Sequence, residues 1–157
     1  MTEDFEPFMR VALKAAQAAA EAGEVPVGAV IVDPASGEIV AQAGNAPIQD
    51  HDPTAHAEIR AIRQTAAARG NYRLTGLDLY VTLEPCAMCA GAISFARLGR
   101  VIYGAADKKG GAIEHGPRFF EQKTCHWRPE VVSGVLAAES SNLLKDFFKA
   151  RRTRDGL

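Results

Sequence analysis

The chain is poor in cysteine. Cys86, Cys89 and Cys125 are its only three, and an odd count excludes a fully paired disulfide framework. It also lacks a long apolar run. Its most apolar stretches, Val25–Val32 and Cys86–Ala96, fall short of the roughly 20 residues that a membrane-spanning helix needs. The first six residues carry Glu3, Asp4 and Glu6 and no Lys or Arg, the reverse of the basic start of a secretory leader. Net charge is small: 18 basic and 19 acidic residues leave −1, which argues against a generic nucleic-acid coat. No repeat, linker or low-complexity tract interrupts the chain. These absences lead us to expect a soluble, cytoplasmic protein with no membrane association.

What is present fits one ordinary domain spanning residues 1–157. A fold of this size buries roughly 68–70% of its unfolded surface and needs no disulfides. Hydrophobic residues make up 47% and charged residues 24%, as in globular proteins and unlike disordered ones. Charge is unevenly placed. Residues 145–154 hold five basic residues (Lys145, Lys149, Arg151, Arg152, Arg154) against Asp146, a net +4 that leaves −5 for the remainder. A basic helix end suits either a local anionic contact or the helix dipole.

Apolar residues at helical spacing predict a helix over Glu3–Glu21, stopped by Gly23. Val25–Asp33 and Glu38–Ala43 read as a β-hairpin about Asp33–Gly37. A polar loop then leads to a helix over Thr54–Arg69, with Gly70 as its cap. Further strands are expected at Asp78–Thr82, Arg100–Tyr103 and Glu130–Ser133. A third helix should start at Pro85, where the missing N–H costs nothing, and a last one should cover Leu136–Arg152. Strands separated by helices imply parallel pairs after the opening antiparallel hairpin. The expected class is α/β, a three-layer α/β/α sandwich about a mixed sheet of about five strands.

Two motifs open two of these helices: His56-Ala57-Glu58 and Pro85-Cys86-Ala87-Met88-Cys89. Cys86 and Cys89, three apart, share one face of a first helical turn. There the positive end of the helix dipole eases deprotonation of their thiols. Zinc takes such sulfur and nitrogen donors, and His56 offers a third. Two thiolates, one neutral imidazole and Zn²⁺ sum to zero charge and leave a fourth position for water, the pattern of a catalytic site. Glu58 would stand near that water without being a ligand. Two other readings compete: a redox C-x-x-C, which expects an early thioredoxin-like βαβ unit, and a closed structural zinc site completed at Cys125-His126.

The combination His-x-Glu with Pro-Cys-x-x-Cys is the signature of zinc nucleobase deaminases, and the chain resembles the bacterial tRNA-specific adenosine deaminases over nearly its whole length. The matching stretches are Glu24–Val30, Gly44-Asn45, His51–Glu58, Leu79–Ile93 and Asp146–Phe148 with the arginines that follow. The resemblance implies a cytidine deaminase-like fold and a homodimer, with one Zn²⁺ per chain on His56, Cys86 and Cys89 and a proton shuttle at Glu58. It implies a tRNA anticodon stem-loop as partner, its wobble adenosine converted to inosine. It also places Asn45, Ala57, Asp107, Lys109, Phe148, Arg151 and Arg152 at the substrate. After Gly111 the chain departs from the most familiar members, reading Ala112–Phe120 where many relatives carry a serine-containing segment.

Phe147 and Phe148 would wall the pocket or pack on a base, although their helical position favours core packing for at least one. Two rival functions remain at this point. A deaminase of free bases or nucleosides keeps every zinc residue but has no need of a basic tail. A zinc-stabilised RNA-binding module needs the fold but not Glu58.

Overall fold

The computed structural model describes residues 3–154. Its elements run α1 (Glu6–Glu21), β1 (Gly28–Asp33), β2 (Glu38–Gly44), α2 (Ala57–Arg69), β3 (Asp78–Leu83), α3 (Ala87–Ala96), β4 (Arg100–Ala105), a 3₁₀ turn at Phe119–Glu121, β5 (Glu130–Val132) and α4 (Ala137–Arg154). The five strands form one sheet in the order β2-β1-β3-β4-β5. β1 pairs antiparallel with both β2 and β3, whereas β4 pairs parallel with β3 and with β5. The mixed sheet is therefore as expected. Its last parallel connection, β4 to β5, runs through an irregular segment with a single 3₁₀ turn and has no crossover helix.

Strand alternation sends successive side chains to opposite faces, and each face is covered by a helix pair. Val30, Val32, Tyr80 and Ile102 pack with Met9 and Ala12 of α1 and with Val135 and Leu136 at the start of α4. Ala29, Ile31, Leu79, Val81, Val101 and Tyr103 face α2 and α3 through Ala57, Ala61, Ala90 and Ile93. α1 lies so close to β1 that a Cβ on Gly28 would sit 2.0 Å from the Ala12 carbonyl oxygen and 2.6 Å from the Ala16 nitrogen. No side chain fits there.

Several boundaries move, each for a local reason. α1 begins at Glu6, behind Phe5. α2 begins at Ala57, not Thr54, because Asp52 Oδ1 accepts the Thr54 N–H at 2.8 Å in a local turn and His56 is extended (φ −71°, ψ 154°). Gly70 caps α2 in the left-handed region, as expected. α3 begins at Ala87, not Pro85: Cys86 is extended (φ −75°, ψ 176°) and caps the helix. α4 starts one residue late, behind Leu136 at φ 54°, and runs on to Arg154. Among the described residues no helix is long and apolar enough to cross a membrane.

Candidate active site

α2 and α3 pack side by side on one face of the sheet. His56 and Cys86 occupy the residue before each helix. An extended backbone at that position throws the side chain forward of the helix end, where unpaired amides and the dipole favour negative charge. Cys89, two residues into α3, points to the same place and is buried.

The His56 Nδ1 atom lies 3.7 Å from Cys86 Sγ and 3.5 Å from Cys89 Sγ, and the three donor atoms fall within 4.8 Å of one another. A tetrahedral zinc with bonds of ~2.3 Å to sulfur and ~2.0–2.1 Å to nitrogen requires N···S separations of about 3.5 Å. The donor set therefore fits zinc in chemistry and in spacing. Among the described residues it is the one group that could hold a metal. Cys125 is engaged elsewhere, buried with its sulfur 3.1 Å from the Trp127 carbonyl oxygen and 3.6 Å from Ser94 Oγ. A site closed by Cys125-His126 is excluded.

The sulfurs share charge unequally. A hydrogen bond from Cys89 holds Cys86 down to about 4, against its own burial and with help from His56. The same bond, together with burial, pushes Cys89 up. The Cys86 sulfur raises His56 above its ordinary value, against burial. Glu58 sits one residue into α2, 4% exposed. Burial pushes its carboxyl up to about 7, although its own backbone N–H and nearby His56 pull the other way. A carboxyl poised there both accepts and donates a proton near neutral pH.

His56, Glu58 and Cys86 form the floor of a cavity of about 310 Å³, with Val25, Val27, Pro47 and Leu83 as apolar walls and Asn45, Asp107 and Gly110 at its polar side. That volume is at the lower end of the range for small-ligand pockets. Asn45 Oδ1 accepts the Ala57 N–H at 2.8 Å, so its amide NH₂ is left as a donor for the cavity. A second recess of about 280 Å³ shares Val25, Asn45 and Pro47 with the first and is closed by Ile48, Phe147, Phe148 and Arg151. Arg151 lies over the Phe147 ring, 5.2 Å from its centroid, and donates to the Gly23 carbonyl at 3.3 Å.

Of the residues expected at the substrate, Asn45 and Asp107 line the cavity, and Phe148 and Arg151 line the adjoining recess. Ala57 is buried and is not part of either lining; its contribution is the N–H held by Asn45. Lys109 and Arg152 are exposed near these recesses but line neither. Core packing of the phenylalanine pair is not realised: Phe147 is half-buried and Phe148 is 43% exposed. The side chain of Arg154 lies outside the described residues.

Sequence reasoning gave no role to two buried carboxylates that brace the walls. Glu24 accepts the N–H groups of Ile48 at 3.2 Å and Gln49 at 2.8 Å, behind Pro47. Glu84 collects the loop that follows β4; burial raises its carboxyl, but the hydrogen bonds it accepts outweigh that and hold it below its ordinary value. The signal was there to read. A lone Glu inside an apolar stretch must find donors when buried.

A family model described as the cytidine and deoxycytidylate deaminase zinc-binding region matches residues 2–105. A protein of Agrobacterium fabrum named tRNA-specific adenosine deaminase is 53% identical over 148 residues, covering 94% of this chain and 96% of its own. A solved chain from a study of A-to-I editing by tRNA:A34 deaminases at the wobble position of transfer RNA is 54% identical with a TM-score of 0.85, over 88% of this chain and 99% of that one. The crystal structure of guanine deaminase from Bacillus subtilis is similar at 31% identity and a TM-score of 0.63, over 96% of this chain and 95% of that one.

Proposed function

Because the chain belongs to the cytidine and deoxycytidylate deaminase zinc-binding family, we propose that it is a hydrolase that deaminates the wobble adenosine of a tRNA anticodon to inosine. One observation carries the chemistry: the buried carboxyl of Glu58 lines the same small cavity as His56 and Cys86, two of the three zinc-competent donors. The choice of RNA over a free base rests on the tRNA-specific deaminases at 53–54% identity, against 31% for the guanine deaminase, and on the aromatic, basic end of α4 beside the cavity. We read the whole chain as one such domain. Its thiol ligands suit a reducing compartment, the cytoplasm.

His56, Cys86 and Cys89 would hold the metal, which when bound supplies a Lewis acid that makes water a nucleophile near neutral pH. Glu58 takes a proton from the attacking water and passes it to N1 of adenine. It then takes the remaining proton from the new C6 hydroxyl and delivers it to the exocyclic amine, so that the C6–N bond breaks, ammonia leaves and C6 becomes the carbonyl of inosine. The NH₂ of Asn45 donates to a ring nitrogen and orients the base. Val25, Val27 and Leu83 exclude bulk water. An adenine stacked in a helix cannot enter so small a cavity, so the base must be splayed out, as anticodon loops allow.

The test is an anticodon stem-loop bearing wobble adenosine, run beside free adenosine, adenine, guanine and cytosine. Inosine formed only in the RNA is the expected result; turnover of a free base at a comparable rate would overturn the substrate assignment. The same RNA tests the tail. Replacing Lys149, Arg151 and Arg152 with Ala should flatten the log–log salt dependence of binding by about 0.7 for each phosphate that is no longer neutralised. Zinc content should not change, and melting should fall only slightly, through the missing Arg151 packing. An unchanged slope with lower stability would leave these residues as helix-dipole charge.

A homodimer fits the outer face of α3. Met88, Gly91, Ala92 and Phe95 recur at i, i+3, i+4 and i+7 with no charge among them. Met88 is 37% and Phe95 78% exposed, and a Cβ on Gly91 would meet nothing within 4 Å. Such a stripe lets a second copy of the helix approach closely. Phe95→Glu is expected to convert a dimer to a monomer in sedimentation velocity. A wild-type monomer at working concentration would refute the dimer.

A further inference from the structure

We propose that Glu84 is a positioning residue for the RNA substrate, acting through the wall formed by Asp107 and Gly110; this rests on the anticodon reading above. Glu84 lies between the end of β3 and Pro85, with its side chain fully buried. Its Oε2 accepts three consecutive amides, Ile113 at 3.1 Å, Glu114 at 2.9 Å and His115 at 3.1 Å. Its Oε1 accepts the Asp107 N–H at 3.0 Å and lies 2.8 Å from His115 Nδ1. Among the described residues no Lys or Arg pairs with it; His115 is its one side-chain partner.

The loop is shaped around this carboxylate. Asp107 Oδ1 accepts the N–H groups of Lys109 at 3.2 Å and Gly110 at 2.9 Å, and the Asp107 carbonyl accepts that of Gly111 at 2.9 Å. Gly111 is pressed onto Glu84: a Cβ there would stand 2.5 Å from Glu84 Cδ and 2.4 Å from the Asp107 carbonyl oxygen. One buried charge thus ties Asp107, at the cavity, to residues 113–115, in the segment where the chain departs from its more familiar relatives.

A buried charge with no full counter-ion is a poor source of stability. What it does supply is conformational specificity, since only one arrangement of the loop brings four amides onto two oxygens. Asp107 and Gly110 line the same cavity as Asn45, so the loop that Glu84 holds forms part of the wall a splayed base would meet. Glu84 touches none of the reacting atoms.

Glu84→Gln tests this while keeping the volume. With its amide oxygen at the three amides, its NH₂ faces the Asp107 N–H, donor against donor. The wall loses its tie while the rest of the loop is held. In the full-length zinc-loaded enzyme we expect KM for the stem-loop to rise about tenfold, the effect of losing one hydrogen bond to a charged group. kcat should stay within about threefold and zinc at one per chain, a split that a merely structural role would not produce. His115→Ala, at a one-third exposed position, removes the other Oε1 partner and should raise KM by a smaller factor. If Glu84→Gln fails to fold, His115→Ala decides alone.

Unchanged KM in the folded variants, or a fall in kcat that follows zinc loss, overturns the role of Glu84. Wild-type protein inactive on the stem-loop overturns the substrate reading first, and the Glu84 proposal with it.

Discussion

Glu58→Ala is expected to abolish turnover while leaving one zinc per chain and near-normal affinity for the stem-loop. Proton transfer by a positioned side chain contributes typically ~10²–10⁴-fold. Glu58 is asked to move protons at the water, at N1 and at the leaving amine, so the loss should reach or exceed ~10⁴-fold. Among the described residues no second carboxylate is placed to take over. The other carboxyl groups bordering the cavity are Glu84 and Asp107, and the hydrogen bonds they accept already commit them to the loop. Single-turnover kinetics with metal analysis and direct RNA binding separate the outcomes. Turnover near the wild-type rate would move the shuttle to another residue.

The second large effect is on the metal. Cys89→Ala should remove zinc, activity and part of the fold's stability together, because metal binding free energy is folding free energy. Cys89 is fully buried between α3 and the site, so its loss also takes away packing. A cost of several kcal/mol corresponds to a fall in Tm of about 10 °C, at 2–4 °C per kcal/mol for a chain of this size. The apo fold should persist, since the cores on both sheet faces do not depend on the site. Chelator-treated wild type should therefore melt at a lowered temperature, and Cys89→Ala somewhat below it, by the packing that the buried thiol supplied. A variant that kept one zinc per chain would show that Cys89 is not a ligand.

These two predictions use residues that are legible in the sequence alone. His56, Glu58, Cys86 and Cys89 stand in motifs whose spacing suits short-range geometry: three residues apart on a helix share a face, and a helix start favours thiolate. The helix starts themselves are not legible in this way. Pro85 is a good first residue, and Thr54 a good cap, on local propensity alone. The structure instead leaves His56 and Cys86 extended at the cap, and that brings their donor atoms to within 3.7 Å of each other.

The pattern of Val and Ile runs between helical stretches determined the α/β class, the opening hairpin and the number of strands, because alternation and 3.6-residue periodicity are local properties of the chain. Which strand lies beside which is not local. β3 enters on the far side of β1, and only that placement sets the end of β3, and Cys86 after it, against the start of α2. The walls of the cavity are equally non-local. Val25, Asn45 and Asp107 come from three separate connections and Leu83 from the end of β3, and their signs of membership in sequence are those of ordinary core and turn residues. Glu24 and Glu84 show the difference most sharply. Composition says that a carboxylate in an apolar stretch must find donors, but which amides it finds, 23 to 31 residues away along the chain, is decided by how the loops close over it.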